Sequence, residues 1–216
     1  MGRVSGVILA GGKSRRMGGS PKALLPFGGR PLIEHIAETL RSVLPDCWVV
    51  TNTPELYESL GLRMVGDVFP EGGSLGGIYS GLQAASGDAA FCVACDMPFL
   101  SAPLVAYLAG RAAEADVVIP DAGGELQTLH AVYGKACLPT MERRIRAGQL
   151  KIAGFFDDVR VVRVPAAEVA RFADPNVAFM NLNTPEDLAR ARALWGRQPA
   201  GAARRTSSPD GDEAED

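Results

Sequence analysis

The spacing of apolar positions changes period many times along the 216 residues of this chain. Val4–Ala10 is a mainly apolar run of strand length that breaks off into glycines and basic residues. Pro31–Leu44 has the helical period: Leu32, Ile36, Leu40 and Val43 share a face, and Pro31 suits the first turn. Cys47–Thr51 predicts a second strand, Pro54–Leu60 a helical stretch, and Leu62–Val65 a third strand ending just before Asp67. A Gly-rich loop, Pro70–Gly77, leads into a helix over Ile78–Ala85. The strand Ala89–Cys95, the helix Pro103–Ala115 and the strand Asp116–Pro120 continue the alternation. Beyond Pro120 the pattern loosens. His130–Tyr133 and Arg160–Val164 read as strands, Ala136–Ala147 as a helix, and Ala178–Asn181 as a last short strand. Thr184-Pro-Glu-Asp187 then opens a helix with a capping box, and Leu188, Ala191 and Trp195 point inward from it.

Alternating strands and helices predict an α/β fold of three layers, Rossmann-like, with a mostly parallel central sheet and helices on both faces. Ligands of such sheets bind outside the carboxyl ends of the strands, so the loops after Ala10, Thr51, Val65 and Cys95 are expected to meet at one edge. One domain is expected over residues 1–196. From Arg197 the composition shifts to Ala, Gly, Pro, Ser and charge, and acids close the chain, so 197–216 reads as a disordered tail.

Composition narrows the classes. Hydrophobic residues make up 47% and charged residues 22%, ordinary for a globular protein. No apolar run approaches the ~18 residues of a membrane span. The first apolar segment ends in glycines and strong base, unlike a signal peptide. A cytoplasmic protein without a membrane partner is the expectation. A net charge of −3 argues against a nucleic-acid partner, which needs a broad basic face. Among the cysteines Cys47, Cys92, Cys95 and Cys137, the pair Cys92/Cys95 has redox or zinc spacing. It lies in a predicted strand, however, where residues three apart face opposite ways, so buried core thiols are expected.

Charge is distributed unevenly. Arg3, Lys13, Arg15, Arg16, Lys22 and Arg30 precede the first acid, Glu34. Several of them interleave with Gly11, Gly12, Gly18 and Gly19. Exposed amides and concentrated positive charge suit a phosphate ligand. The loop is neither a dinucleotide G-x-G-x-x-G nor a Walker A sequence. Asp96 ends a buried apolar strand in Cys95-Asp-Met-Pro98; a carboxylate there needs a cap, a base or a metal. Magnesium, a hard ion held by one or two carboxylates plus substrate phosphates, suits it. Asp67 is a second acid at a strand end, and Asn52 follows another strand. Histidine is scarce: His35 lies in a helix and reads as structural, and His130 is expected to be a hydrogen-bonded structural residue. Covalent catalysis is therefore poorly supported.

The string Leu9-Ala-Gly-Gly-Lys-Ser-Arg-Arg-Met-Gly18, followed by Pro21-Lys22, resembles the signature loop of nucleotidyltransferases. More narrowly, the chain as far as Trp195 is similar to the molybdenum cofactor guanylyltransferase family, which joins GMP from GTP to molybdopterin. The resemblance implies a nucleotidyltransferase fold and a nucleotide site at Leu9, Ala10, Gly11, Gly12, Lys22, Asn52, Asp67 and Asp96. It implies Mg²⁺ on Asp96, Lys22 and Arg16 on the phosphates, and the pterin acceptor at Asn181 and Asn183. GTP and molybdopterin are the implied substrates, with transient contacts to cofactor-biosynthesis proteins or apo-molybdoenzymes. The chain departs from the family at two positions, Ser74 and Thr128, where the family often has proline; the first bears on the local turn shape. Leu9-Ala-Gly-Gly12 is the form associated with GTP, since the sister cytidylyltransferases usually carry alanine in place of Gly11. A CTP-dependent sister, a sugar-phosphate nucleotidyltransferase and a non-catalytic nucleotide-binding protein remain open on the residues alone.

Overall fold

A computed structural model describes residues 3–11 and 21–196. The first strand is β1, Val4–Leu9; a small hairpin of β2, Pro26–Phe27, and β3, Arg30–Pro31, then precedes helix α1, Leu32–Arg41. Strand β4, Cys47–Val50, is followed by two 3-10 turns, Pro54–Leu56 and Glu58–Leu60, and by β5, Arg63–Val65. Helix α2 spans Gly73–Ala84, strand β6 Ala89–Ala94, and helix α3 Ala102–Gly110. Next come β7, Val117–Ala122, β8, Glu125–Leu126, β9, His130–Gly134, α4, Leu138–Arg146, and β10, Val161–Pro165. Two single-turn helices, α5, Ala166–Val169, and α6, Pro175–Ala178, lead to the last helix α7, Pro185–Trp195.

The central sheet has the order β10-β7-β9-β6-β1-β4-β5, with β8 paired to β7. Pairs β1/β4, β1/β6, β4/β5 and β7/β10 are parallel, whereas β9 runs against both β6 and β7. The sheet is thus mostly parallel, as the alternation predicts. Each face has its own apolar layer. Ile33, Ile36 and Leu40 of α1 and Leu104, Val105 and Leu108 of α3 pack with Ile8, Phe91 and Val93 on one side. Leu75, Ile78 and Leu82 of α2 and Met141 and Ile145 of α4 pack with Val7, Val50 and Cys92 on the other. The predicted divergence of Cys92 and Cys95 follows: they join opposite layers, and burial raises both thiols, Cys95 to about 12. All four cysteines are free.

Several element expectations are corrected. Ala178–Asn181 is not a strand. Asp174 accepts the amide of Asn176 and Pro175 follows it, so the chain forms the single turn α6, which ends at Ala178, and residues 179–181 leave it without pairing as a strand. Residues 73–77 belong to helix α2 rather than to a loop, and Leu75, Gly76 and Gly77 are buried in it. Glycine's poor helix propensity hides such a start, because packing against the sheet overrides it. The reading of the α7 entrance holds: Thr184 accepts the amide of Asp187, and the Asp187 carboxylate accepts the amide of Thr184.

A third, smaller cluster lies beyond the main layers. Phe27, Leu32, Phe99, Leu182, Leu188 and Ala191 form it, with Trp195 against its edge. Trp195 lies 4.9 Å from the Phe27 ring and 4.8 Å from the ring of His35, which bonds the Phe27 carbonyl at 2.8 Å. His35 is therefore structural, as expected.

Candidate active site

Sheet register assembles the site. Leu9 pairs with Val50 on one side and with Ala94 on the other, and Val50 pairs with Val65. These parallel strands therefore stop in one row. Two positions past that row stand Gly11, Asn52, Asp67 and Asp96, all on the carboxyl edge where such sheets bind ligands. The ladder continues one residue further: the amides of Ala10, Thr51 and Cys95 donate to Val50, Val65 and Leu9 at 3.0, 2.9 and 3.2 Å. The four positions are thus held by main-chain geometry.

Asn52 and Asp67 form a closed pair. The Asn52 amide nitrogen donates to Asp67 Oδ2 at 2.9 Å, and the Asp67 main-chain N–H donates to Asn52 Oδ1 at 2.8 Å. Burial pushes the Asp67 carboxyl above its usual range, and the Asn52 bond pulls against this. Ser80 of α2, fully buried, supports the next residue: its hydroxyl accepts the Val68 amide at 2.9 Å and donates to the Gly76 carbonyl at 2.8 Å. Ser80 belongs to no motif; a lone hydroxyl on the apolar face of a helix is its one signal in the sequence.

Asp96, Lys22 and Asn183 meet from three distant segments. Lys22 Nζ lies 3.5 Å from Asp96 Oδ2 and donates to Asn183 Oδ1 at 2.7 Å. The side chains of Lys22 and Asp96 are only 10% and 18% exposed. Burial raises the Asp96 carboxyl above its ordinary value, while the Lys22 ammonium lowers it. The Leu182 amide donates to the Asp96 carbonyl at 3.0 Å, tying the third segment to the second.

The small aromatic cluster explains why these segments meet. Phe27 follows Lys22, Phe99 follows Asp96, and Leu182 precedes Asn183; all three are buried together. Arg192 of α7 also donates to the Pro26 carbonyl at 2.8 Å. The sequence placed Trp195 inward but gave no partner for it, because its neighbours are far away in the chain.

Other expected residues resolve differently. Asn181 is exposed and its amide reaches only the Phe179 carbonyl at 3.4 Å, whereas Asn183 joins Lys22. The two asparagines thus have different partners. His130 corrects an expectation: it is buried and structural, but neither ring nitrogen has a hydrogen-bond partner among the described residues. Its ring is wedged edge-on between Phe91 and Phe179 at 5.1 and 5.0 Å, and unrelieved burial lowers its pKa to about 3. Gly12 and Arg16, with most of the basic loop, lie outside the described residues. Among the described residues, no three His, Cys, Asp or Glu side chains gather into a metal cage, and no helix is long and apolar enough to cross a membrane.

A parallel-sheet edge with a hydrogen-bonded acid, a lysine–carboxylate pair and an apolar strand that runs into Gly11 is the kind of edge at which α/β proteins bind nucleotides. A family model described as a MobA-like NTP transferase domain matches residues 6–161 and places the fold among nucleotidyltransferases. The chain is 41% identical over 192 residues to a probable molybdenum cofactor guanylyltransferase of Pelotomaculum thermopropionicum, covering 89% of this chain and 93% of that protein. It is 38% identical over 195 residues to a molybdenum cofactor guanylyltransferase of Desulfosudis oleivorans, covering 89% and 96%. The crystal structure of molybdopterin-guanine dinucleotide biosynthesis protein A from Archaeoglobus fulgidus superposes with a TM-score of 0.78 at 27% identity, over 89% of this chain and 99% of that one. The chain belongs to the molybdenum cofactor guanylyltransferase family.

Proposed function

We propose that this protein transfers GMP from GTP to the phosphate of molybdopterin, forming the guanine dinucleotide cofactor and releasing pyrophosphate. The convergence of Lys22, Asp96 and Asn183 beside the row of Gly11, Asn52 and Asp67 carries the reading. A molybdopterin phosphate oxygen forms a bond to the α-phosphorus of GTP as the bond to the pyrophosphate oxygen breaks. The acceptor monoester has a second pKa near ~6, so it is largely dianionic at neutral pH and needs no general base. The protein's task is positioning and neutralisation. Lys22 supplies positive charge to the phosphates, joined by Arg16 and the main-chain amides of Gly11 and Gly12. Asn52 and Asp67 orient base or ribose, and Asn181, exposed beside Asn183, takes the pterin.

Mg²⁺ fits the donors. The Asp96 carboxylate and the Asn183 carbonyl are hard oxygens drawn to one ammonium, and the remaining ligands would be phosphate oxygens and water. When bound, the ion would offset charge on the leaving pyrophosphate. Incubating the protein with Mg²⁺, molybdopterin and each nucleoside triphosphate, then weighing the product by mass spectrometry, tests the proposal. A cytidine adduct would assign the sister activity, and no adduct a non-catalytic role.

The choice of base should respond to residue 11. A Cβ on Gly11 would meet Asp67 Oδ2 at 3.4 Å, an ordinary contact, so the free fold accepts alanine. The methyl would nevertheless fill the space between Gly11 and Asp67 that we assign to the nucleotide, and a purine needs more of it. Steric discrimination of this kind is worth ~1–3 kcal/mol, or about 10–200-fold. The natural protein is expected to prefer GTP over CTP in kcat/KM by at least about tenfold. Gly11→Ala should narrow the gap chiefly by harming GTP; equal losses for both nucleotides would contradict the argument.

The two asparagines should also separate. Asn181→Ala is expected to raise KM for molybdopterin and leave the calorimetric affinity for GTP unchanged. Lys22→Ala should weaken GTP binding, and Asn183→Ala, which removes the lysine's anchor, should disturb both substrates. A loss of GTP affinity in Asn181→Ala as large as in Lys22→Ala would refute the division.

A further inference from the structure

In the free protein one ammonium engages both side-chain oxygens that a metal ion would use. Lys22 Nζ sits against Asp96 Oδ2 at 3.5 Å and Asn183 Oδ1 at 2.7 Å, with both members of the ion pair largely shielded from water. We propose that Lys22 is the resident counter-cation of Asp96, and that it gives up this carboxylate to the metal only when a nucleoside triphosphate arrives to receive the lysine. The inference rests on the metal reading of Asp96 given above.

Three arguments support it. First, the free site has no other cage: among the described residues no three acidic, histidine or cysteine side chains converge. A divalent ion entering alone would meet one carboxylate and one amide oxygen, too few for a hard ion without substrate oxygens. Second, a metal on Asp96 Oδ2, which is 3.5 Å from Lys22 Nζ, would lie within about 6 Å of the ammonium, where like charges repel strongly in a partly buried site. Third, lysine suits an exchange. Its charge is compact, its stem flexible, and its three donors can turn to new acceptors. The triphosphate offers anionic oxygens both to the departing lysine and to the incoming metal. The exchange leaves no buried carboxylate without a cation at any stage, which avoids the large cost of an unpaired charge. Metal loading would then be conditional on nucleotide.

Free Mn²⁺, measured by electron paramagnetic resonance at pH 8, provides the probe. The wild type should retain Mn²⁺ weakly alone and much more strongly with GTP. Lys22→Met should bind Mn²⁺ without nucleotide at least about tenfold more tightly than the wild type, because the competing cation is gone. Lys22→Arg, which keeps a cation near Asp96, should stay near the wild-type value and shows whether charge or packing matters. Circular dichroism confirms that each variant is folded. If Lys22→Met binds Mn²⁺ no better than the wild type, while Asp96→Ala abolishes the GTP-dependent retention, the exchange is wrong and the metal reading stands. If Asp96→Ala retains Mn²⁺ with GTP as the wild type does, the metal reading itself fails and the exchange with it.

Discussion

Alanine in place of Asp96 is expected to lower kcat for GMP transfer by about 10²–10³-fold, the usual cost of removing one electrostatic stabiliser. The fold should survive. The main-chain carbonyl of residue 96, which accepts the Leu182 amide at 3.0 Å, is untouched by the substitution. Lys22 would keep its bond to Asn183. Burial raises the Asp96 carboxyl, so its ionisation disfavours the folded state rather than stabilising it. The expected signature is a large loss of turnover with a near-normal melting curve. Turnover close to that of the wild type, with unchanged Mg²⁺ dependence, would remove Asp96 from the mechanism.

Gly81→Ala should instead act on stability. Helix α2 crosses the sheet so closely that a Cβ on Gly81 would stand 2.3 Å from Val7 Cγ1 and 3.0 Å from Val50 Cγ2. Valine is stiff at χ1, so these methyls cannot swing aside. The helix must lift or the strands β1 and β4 must shift. Overpacking of this kind costs about 1–3 kcal/mol, and the better helix propensity of alanine, worth up to about 1 kcal/mol, offsets only part. For a domain of this size we expect the melting temperature to fall by roughly 2–8 °C. Activity should fall with it, because β1 and β4 deliver Gly11 and Asn52 to the site and Ser80 of α2 holds the Val68 amide. A melting temperature unchanged or raised would show that the interface relaxes without strain.

Much of this protein was written locally in its chain. Apolar runs of strand length and helical spacing gave the α/β alternation, and Thr184 to Asp187 gave a helix entrance complete in itself. Strand ends are also local. An apolar run that stops at Ala10, Thr51, Val65 or Cys95 marks where the chain leaves the sheet, so Gly11, Asn52, Asp67 and Asp96 stand out without knowing how the strands pair. Only the register put the four into one row. Local signals failed where a distant partner decides. The glycines of residues 73–77 read as a loop, yet burial against the sheet makes them helical. His130 was expected to have a hydrogen-bond partner, but two aromatic rings from separate segments surround it and supply none. The meeting of Lys22 with Asn183 spans 161 positions and depends on Phe27, Phe99 and Leu182 sharing one small core. No periodicity encodes such a contact, because it forms only after the sheet, the hairpin and α7 have packed. The sequence by itself therefore determined most of the elements and the residue types of the candidate site, and tertiary packing alone decided which cation faces which carboxylate.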